Sequence, residues 1–130
     1  MKYQYLVVSD RIEDVQRADL VLVQNFEKAK EKLKKKVRAG AGLEVQVLQA
    51  RAMDAKNAAK WLGQVGDLYR FCKLARCQLV LTSGATSQWG MVSGRSFDAL
   101  LQECGIEPLR YWQELERWLE SRLARRVTAC

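Results

Sequence analysis

The stretch that decides the fold runs from Leu20 to Leu48, LVLVQNFEKAKEKLKKKVRAGAGLEVQVL. It opens on Leu20–Val23, a short β-branched run, and closes on Leu43–Leu48, where apolar and polar residues alternate. Both read as strands. Between them, Glu27–Arg38 places Ala29, Leu33 and Val37 on one helical stripe, with Gly40 as a stop signal just beyond. A strand, a helix and a strand in so short a span form a parallel crossover unit, right-handed by the general rule.

The same alternation continues in both directions. Tyr3–Val8 and Leu79–Leu81 read as further strands, and Ile12–Ala18 and Asp54–Arg76 as helices. Gly63 and Gly66 inside the long helix predict a kink or a close approach. After the fourth strand the pattern is helical only, over Ser96–Cys104 and Leu109–Val127, the latter with Pro108 at its start. The order predicts an α/β fold of parallel β/α units with two C-terminal helices. With no linker in sight, we expect one domain over 1–130, of which 106–130 is the terminal helix. Four parallel strands alone leave two exposed edges, and a closed barrel needs eight strands and about 250 residues. The expected architecture is either a small open three-layer domain or a partial barrel completed by something else.

The chain carries 22 Lys and Arg against 15 Asp and Glu, a net charge of +7, and no histidine. Without histidine, Ser-His-Asp and Cys-His nucleophiles, imidazole metal sites and histidine proton shuttles are excluded. Cys72, Cys77, Cys104 and Cys130 have no zinc-type spacing and are expected as buried thiols; a disulfide or an all-thiolate site are the alternatives. No metal or cofactor is expected. No apolar stretch is long enough for a membrane span, and the short run ending at Ser9-Asp10 does not suit a secretory signal, so a cytoplasmic protein is expected.

The positive charge is concentrated. Glu27–Arg38 holds seven basic and two acidic side chains, including Lys34, Lys35, Lys36 and Arg38, and a second group comprises Arg122, Arg125 and Arg126. Such density suits phosphate neutralisation; it equally suits a solvated helix face with Glu27–Lys30 and Glu31–Lys35 pairs. Trp112, Trp118 and Leu119 on the terminal helix are expected in core or interface packing. The glycine-rich Thr82–Arg95 stretch, TSGATSQWGMVSGR, follows the fourth strand, where ligands bind in parallel α/β folds. Ser83 and Gly84 offer backbone N–H groups there and Arg95 a charge, yet the stretch matches neither a phosphate loop nor a dinucleotide fingerprint. Ser9, Asp10, Gln24, Asn25, Gln49 and Ser83 fall at strand ends, and Asp10 is the single acid among them, a poor basis for acid–base catalysis.

RFCKLAR at 70–76 followed by QLVLTSGATSQWGMVSGRSFDALLQECGI at 78–106 resembles the C-terminal half of the archaeal and eukaryotic thirty-kilodalton protein subunit of ribonuclease P. That family shows an RF-x-KLAR helix, an apolar strand running into a Ser-Ser-Gly-Ala turn, and a Trp/Tyr-Asp-Leu-Arg-x-Pro-Arg-Asp loop. Here the turn is Thr82-Ser83-Gly84-Ala85, the aromatic is Trp89, and Arg95 falls on the second arginine. Gly90, Val92, Gly94 and Thr86 replace the loop's acid, its first arginine, its proline and a lysine after the turn. The resemblance implies half of a TIM-type barrel over 1–105 with no catalytic activity of its own. It further implies contacts with ribonuclease P RNA and precursor tRNA, and binding of a smaller protein subunit. Lys34, Lys35, Lys36, Arg38, Ser83, Gly84, Arg95, Arg122, Arg125 and Arg126 are then the candidate RNA contacts, and Trp112, Trp118 and Leu119 the candidate protein interface. A second copy is a further candidate to complete the barrel. The competing expectation is a small α/β domain binding a metabolite or phosphate through Ser83–Arg95.

Overall fold

The structure, a computed structural model, describes residues 6–35, 40–85 and 92–128, without the side chains of 16, 35 and 124–128. Its centre is a parallel sheet of β1 (Val8–Ser9), β2 (Leu20–Leu22), β3 (Gly42–Gln46) and β4 (Gln78–Thr82), in the order β1-β2-β3-β4. The helices are α1 (Phe26–Lys35), α2 (Leu48–Arg51), α3 (Ala55–Ala75), α4 (Gly94–Glu103) and α5 (Pro108–Thr128), and a 3-10 turn spans Ile12–Gln16. Leu20, Gly42 and Gln78 lie in one register row across the β2–β3 and β3–β4 pairings.

Parallel neighbours in sequence order, joined by right-handed crossovers, carry their helices on one face. The odd-numbered residues Val21, Val23, Leu43, Val45, Leu79 and Leu81 are buried, and with Ala29 and Leu33 of α1 and Trp61, Val65, Leu68 and Cys72 of α3 they form the core. Each buried Val or Leu among them contributes roughly 1.5–3 kcal/mol by leaving water. The even-numbered residues Leu20, Leu22, Glu44, Gln46, Val80 and Thr82 are half-buried on the other face.

Local chemistry sets the ends of the helices. Asn25 and Asp54 accept from the backbone N–H groups of Lys28 and Asn57, at 3.0 and 2.8 Å, and Ser93 accepts from that of Ser96 at 3.2 Å. α4 closes with Gly105 at φ 77°, Gly105 N donating to Gln102 O and Ile106 N to Leu101 O. α3 closes in the same kind of turn, Cys77 N donating to Cys72 O at 2.8 Å, but Arg76 occupies the left-handed position at φ 58°. For a side chain with a Cβ that conformation costs about 1–2 kcal/mol.

α5 folds back on the sheet. The Tyr111 hydroxyl accepts from Leu81 N at 2.9 Å, and Trp118 Nε1 donates to Gly40 O at 2.6 Å. The ring of Trp118 covers Gly42, where an added Cβ would lie 2.6 Å from it, so it packs on the even-numbered face. Arg122 ends the crossing against Asp19, Nη2 to Oδ1 at 2.9 Å, with the two side chains 14% and 4% exposed.

The predicted elements appear with adjusted bounds, except that of the strand expected over Tyr3–Val8 only Val8 falls in β1, residues 3–5 and the end of the helix expected over Glu27–Arg38 lying outside the described residues. The strand expected over Leu43–Leu48 stops at Gln46, because Val47 N and Leu48 N turn to Thr82 O and Ser83 O and start α2. Of the two approaches anticipated in α3, Gly66 has the Cys104 carbonyl oxygen where its Cβ would be, while Gly63 faces open space. At the outer side of β4 the Leu81 N–H is taken up by Tyr111 of α5. Among the described cysteines, Cys72 and Cys104 are buried thiols; burial pushes Cys104 and Cys77 up to about 11 and Cys72 further still. Cys130 lies outside the described residues. No group of potential metal ligands occurs among the described residues, and no helix among them is long and apolar enough to cross a membrane.

Candidate functional site

The topology separates the predicted RNA contacts into two ends of the sheet. α1 starts after the C-terminal end of β2 and runs back toward the start of β3, so Lys34, exposed in its last turns, lies at the N-terminal strand end. Ser83 and Gly84 follow β4 at the opposite end. There Gly84, at φ 66°, packs its backbone over Gln46, and Ser83 Oγ accepts from Ala85 N at 3.2 Å. Arg95 is exposed in the first turn of α4. The side chains of Lys35, Arg125 and Arg126, and residues Lys36 and Arg38 altogether, lie outside the described residues.

The structure engages Arg122 within the fold. Its guanidinium meets Asp19, which also accepts from Val7 N at 2.8 Å, and the pair is largely shielded from solvent. Trp112 is likewise occupied inside the chain, its Nε1 donating to Asp98 at 2.6 Å and its ring set edge-on to Phe97 and Tyr111. Trp118 is held by Gly40 and Gly42. Of the three candidate interface residues only Leu119 is exposed, at 38%.

Sequence reasoning by charge runs missed a row that the register makes plain. Arg17 stands three residues before Leu20, and Arg76 two residues before Gln78, and these two strand positions share a row with Gly42. Arg17 and Arg76 are therefore delivered to the N-terminal ends of β2 and β4, on either side of β3, toward whose start α1 carries Lys34. Strands lie about 4.8 Å apart, so this edge of the molecule is a compact basic surface. Backbone bonds pin it: Gly40 N donates to Arg76 O and Gly42 N to Asp19 O, both at 2.8 Å. Arg17, Lys34 and Arg76 are exposed and pair with no carboxylate among the described residues. The signal available in the sequence was the recurrence of Arg just before consecutive strands, at Arg17, Arg38 and Arg76.

The opposite end is of mixed charge. A cavity of about 450 Å³ opens beyond β1 and β2, lined by Asp10, Arg11, Glu13, Gln24, Asn25 and Lys28 among others. Glu13 is held below the usual carboxylate range by a backbone hydrogen bond, with Lys28, Lys32 and Arg11 adding to it. Gln49 Nε2 donates to Val23 O at 3.1 Å, and Thr82 Oγ1 to Glu44 Oε2 at 2.8 Å, so the polar groups at the ends of β3 and β4 are joined to the fold. Compared with protein-family profiles, with curated proteins and with solved structures, the chain matches none.

Proposed function

We propose that the chain is a non-catalytic, RNA-contacting protein subunit of ribonuclease P, helping the catalytic RNA fold and remove 5′ leaders from precursor tRNA in the cytoplasm. The observation that carries this reading is the row of exposed basic side chains at the N-terminal strand ends, Arg17, Lys34 and Arg76, which pair with no carboxylate among the described residues. Such charges neutralise phosphates and position RNA without reading its sequence. The likeness of Arg70–Leu100 to the thirty-kilodalton subunit supplies the choice of ribonucleoprotein. The protein needs no cofactor or metal for this role.

In this reading the sheet is half of a TIM-type barrel. Sequence-ordered parallel strands with the crossover helices α1 and α3 on one face suit that architecture, whereas α5 across Gly42 on the other face is what an open three-layer domain would show. A partner then completes it, either the small protein subunit or a second copy. Cover comes past β1, where Val7 and Val8 are 38% and 59% exposed, because Tyr111 already occupies the outer side of β4. The test is recovery of the native protein and sequencing of the RNA that accompanies it. Ribonuclease P RNA is the expected species, and its absence from a preparation that retains other RNA would refute the assignment.

The cavity beside Asp10, Asn25 and Lys28 favours a second reading, a small-molecule-binding α/β domain, since parallel sheets bind ligands at that end. Binding of a phosphorylated metabolite by protein that ignores RNA at low salt would support it.

A further inference from the structure

α3 and α4 end in the same type of turn with different residues at its left-handed position. α4 uses Gly105, the residue suited to the left-handed backbone, whereas α3 places Arg76 there at φ 58°. The Arg76 side chain is exposed and meets no carboxylate among the described residues. Favourable interaction with the α3 dipole does not require this position, because Lys73 already stands in the last turn. The backbone conformation of Arg76 is thus costly while its side chain meets no carboxylate among the described residues, a combination that points to function.

We infer that Arg76, with Arg17 and Lys34 beside it, grips the phosphate backbone of double-helical RNA. Base stacking requires exposed aromatic rings, and this end of the sheet presents none among the described residues: Trp118 is committed to Gly40 and Gly42, and Tyr69 and Tyr111 are buried. A basic row without stacking surfaces suits the shape and charge of a helical backbone better than splayed single-stranded bases. The inference rests on the RNA-binding reading above, and the following measurements separate the two.

Fluorescence anisotropy of the full chain is measured against an RNA hairpin, a poly-A strand of equal length, and vesicles containing phosphatidylserine. Wild type is expected to bind the hairpin most tightly. Arg76→Gly is expected to bind it roughly tenfold more weakly, with a salt slope smaller by about one phosphate contact, and to melt no lower than wild type. Arg76→Lys should recover most of the affinity, and Lys60→Ala, at the other end of the sheet, should leave it unchanged. Wild-type affinity in Arg76→Gly, a lowered melting temperature in that variant, or preference for poly-A or vesicles would each overturn the inference. Wild type that binds no RNA at all would instead refute the subunit assignment.

Discussion

The hydroxyl of Tyr111 meets a backbone N–H that no strand satisfies, that of Leu81 at the outer side of β4. Burial pushes this phenol up to about 12, even though the bond from Leu81 opposes the shift. The unfolded chain releases the same proton near pH 10. The folded state therefore holds a proton that the unfolded state loses between about pH 10 and 12. The corresponding stability is complete below pH 10 and is lost as pH rises through that window, on the order of 2–3 kcal/mol. Tyr111→Phe strands the Leu81 N–H and is expected to cost about 1–3 kcal/mol at pH 7, while flattening this alkaline decline; urea denaturation at pH 7, 10 and 11 reads both effects. A second residue-scale outcome concerns Arg122. Its truncation to Ala leaves the Asp19 carboxylate in a largely buried site, so a loss of about 3 kcal/mol is expected by denaturation. The pair was invisible to a reading of charge runs, since 103 residues separate its members and only the return of α5 to the sheet brings them together.

Among the elements, α3 carries two glycines in similar sequence settings and opposite structural ones. At Gly63 nothing approaches an added Cβ, and at Gly66 the Cys104 carbonyl oxygen occupies its place. Gly63→Ala is expected to stabilise the protein by about 0.5–1 kcal/mol through helix propensity. Gly66→Ala must push α3 away from the end of α4 and is expected to cost about 1–3 kcal/mol; thermal melts of the pair give opposite signs. Most elements were legible in the sequence because their periods are strong: the buried residues of β2 and β4 alternate, and Asp54 caps α3 where the helical stripe begins. Other features were not. The apolar run through Val47 and Leu48 does not distinguish the end of a strand from the start of a helix, and the backbone turns there to pair with Thr82 and Ser83. The left-handed state of Arg76 carries no local signature, because arginine is common at ordinary helix ends. The candidate site was half legible for the same reason: Lys34 stands in a visible charge run, whereas Arg17 and Arg76 join it only through strand register.

For the whole molecule, the charge distribution has a direction along the strands. The N-terminal strand ends are basic, while the C-terminal ends mix Asp10, Glu13 and Asp54 with Arg11, Lys28 and Arg95. RNA affinity is expected to fall linearly on logarithmic axes as salt rises. Charge reversal at Arg17 together with Lys34 should flatten that slope, and reversal at Arg51 together with Lys60 should not; titrations at three salt concentrations distinguish the two.

The unequal sides of the sheet bear on solubility. Head-to-tail addition of copies, each β1 docking on the β4 of the next, has no natural end and would yield fibres. The phenol of Tyr111 takes up the Leu81 N–H on the β4 side of every copy, so a β1 strand docking there would have one ladder donor fewer to use.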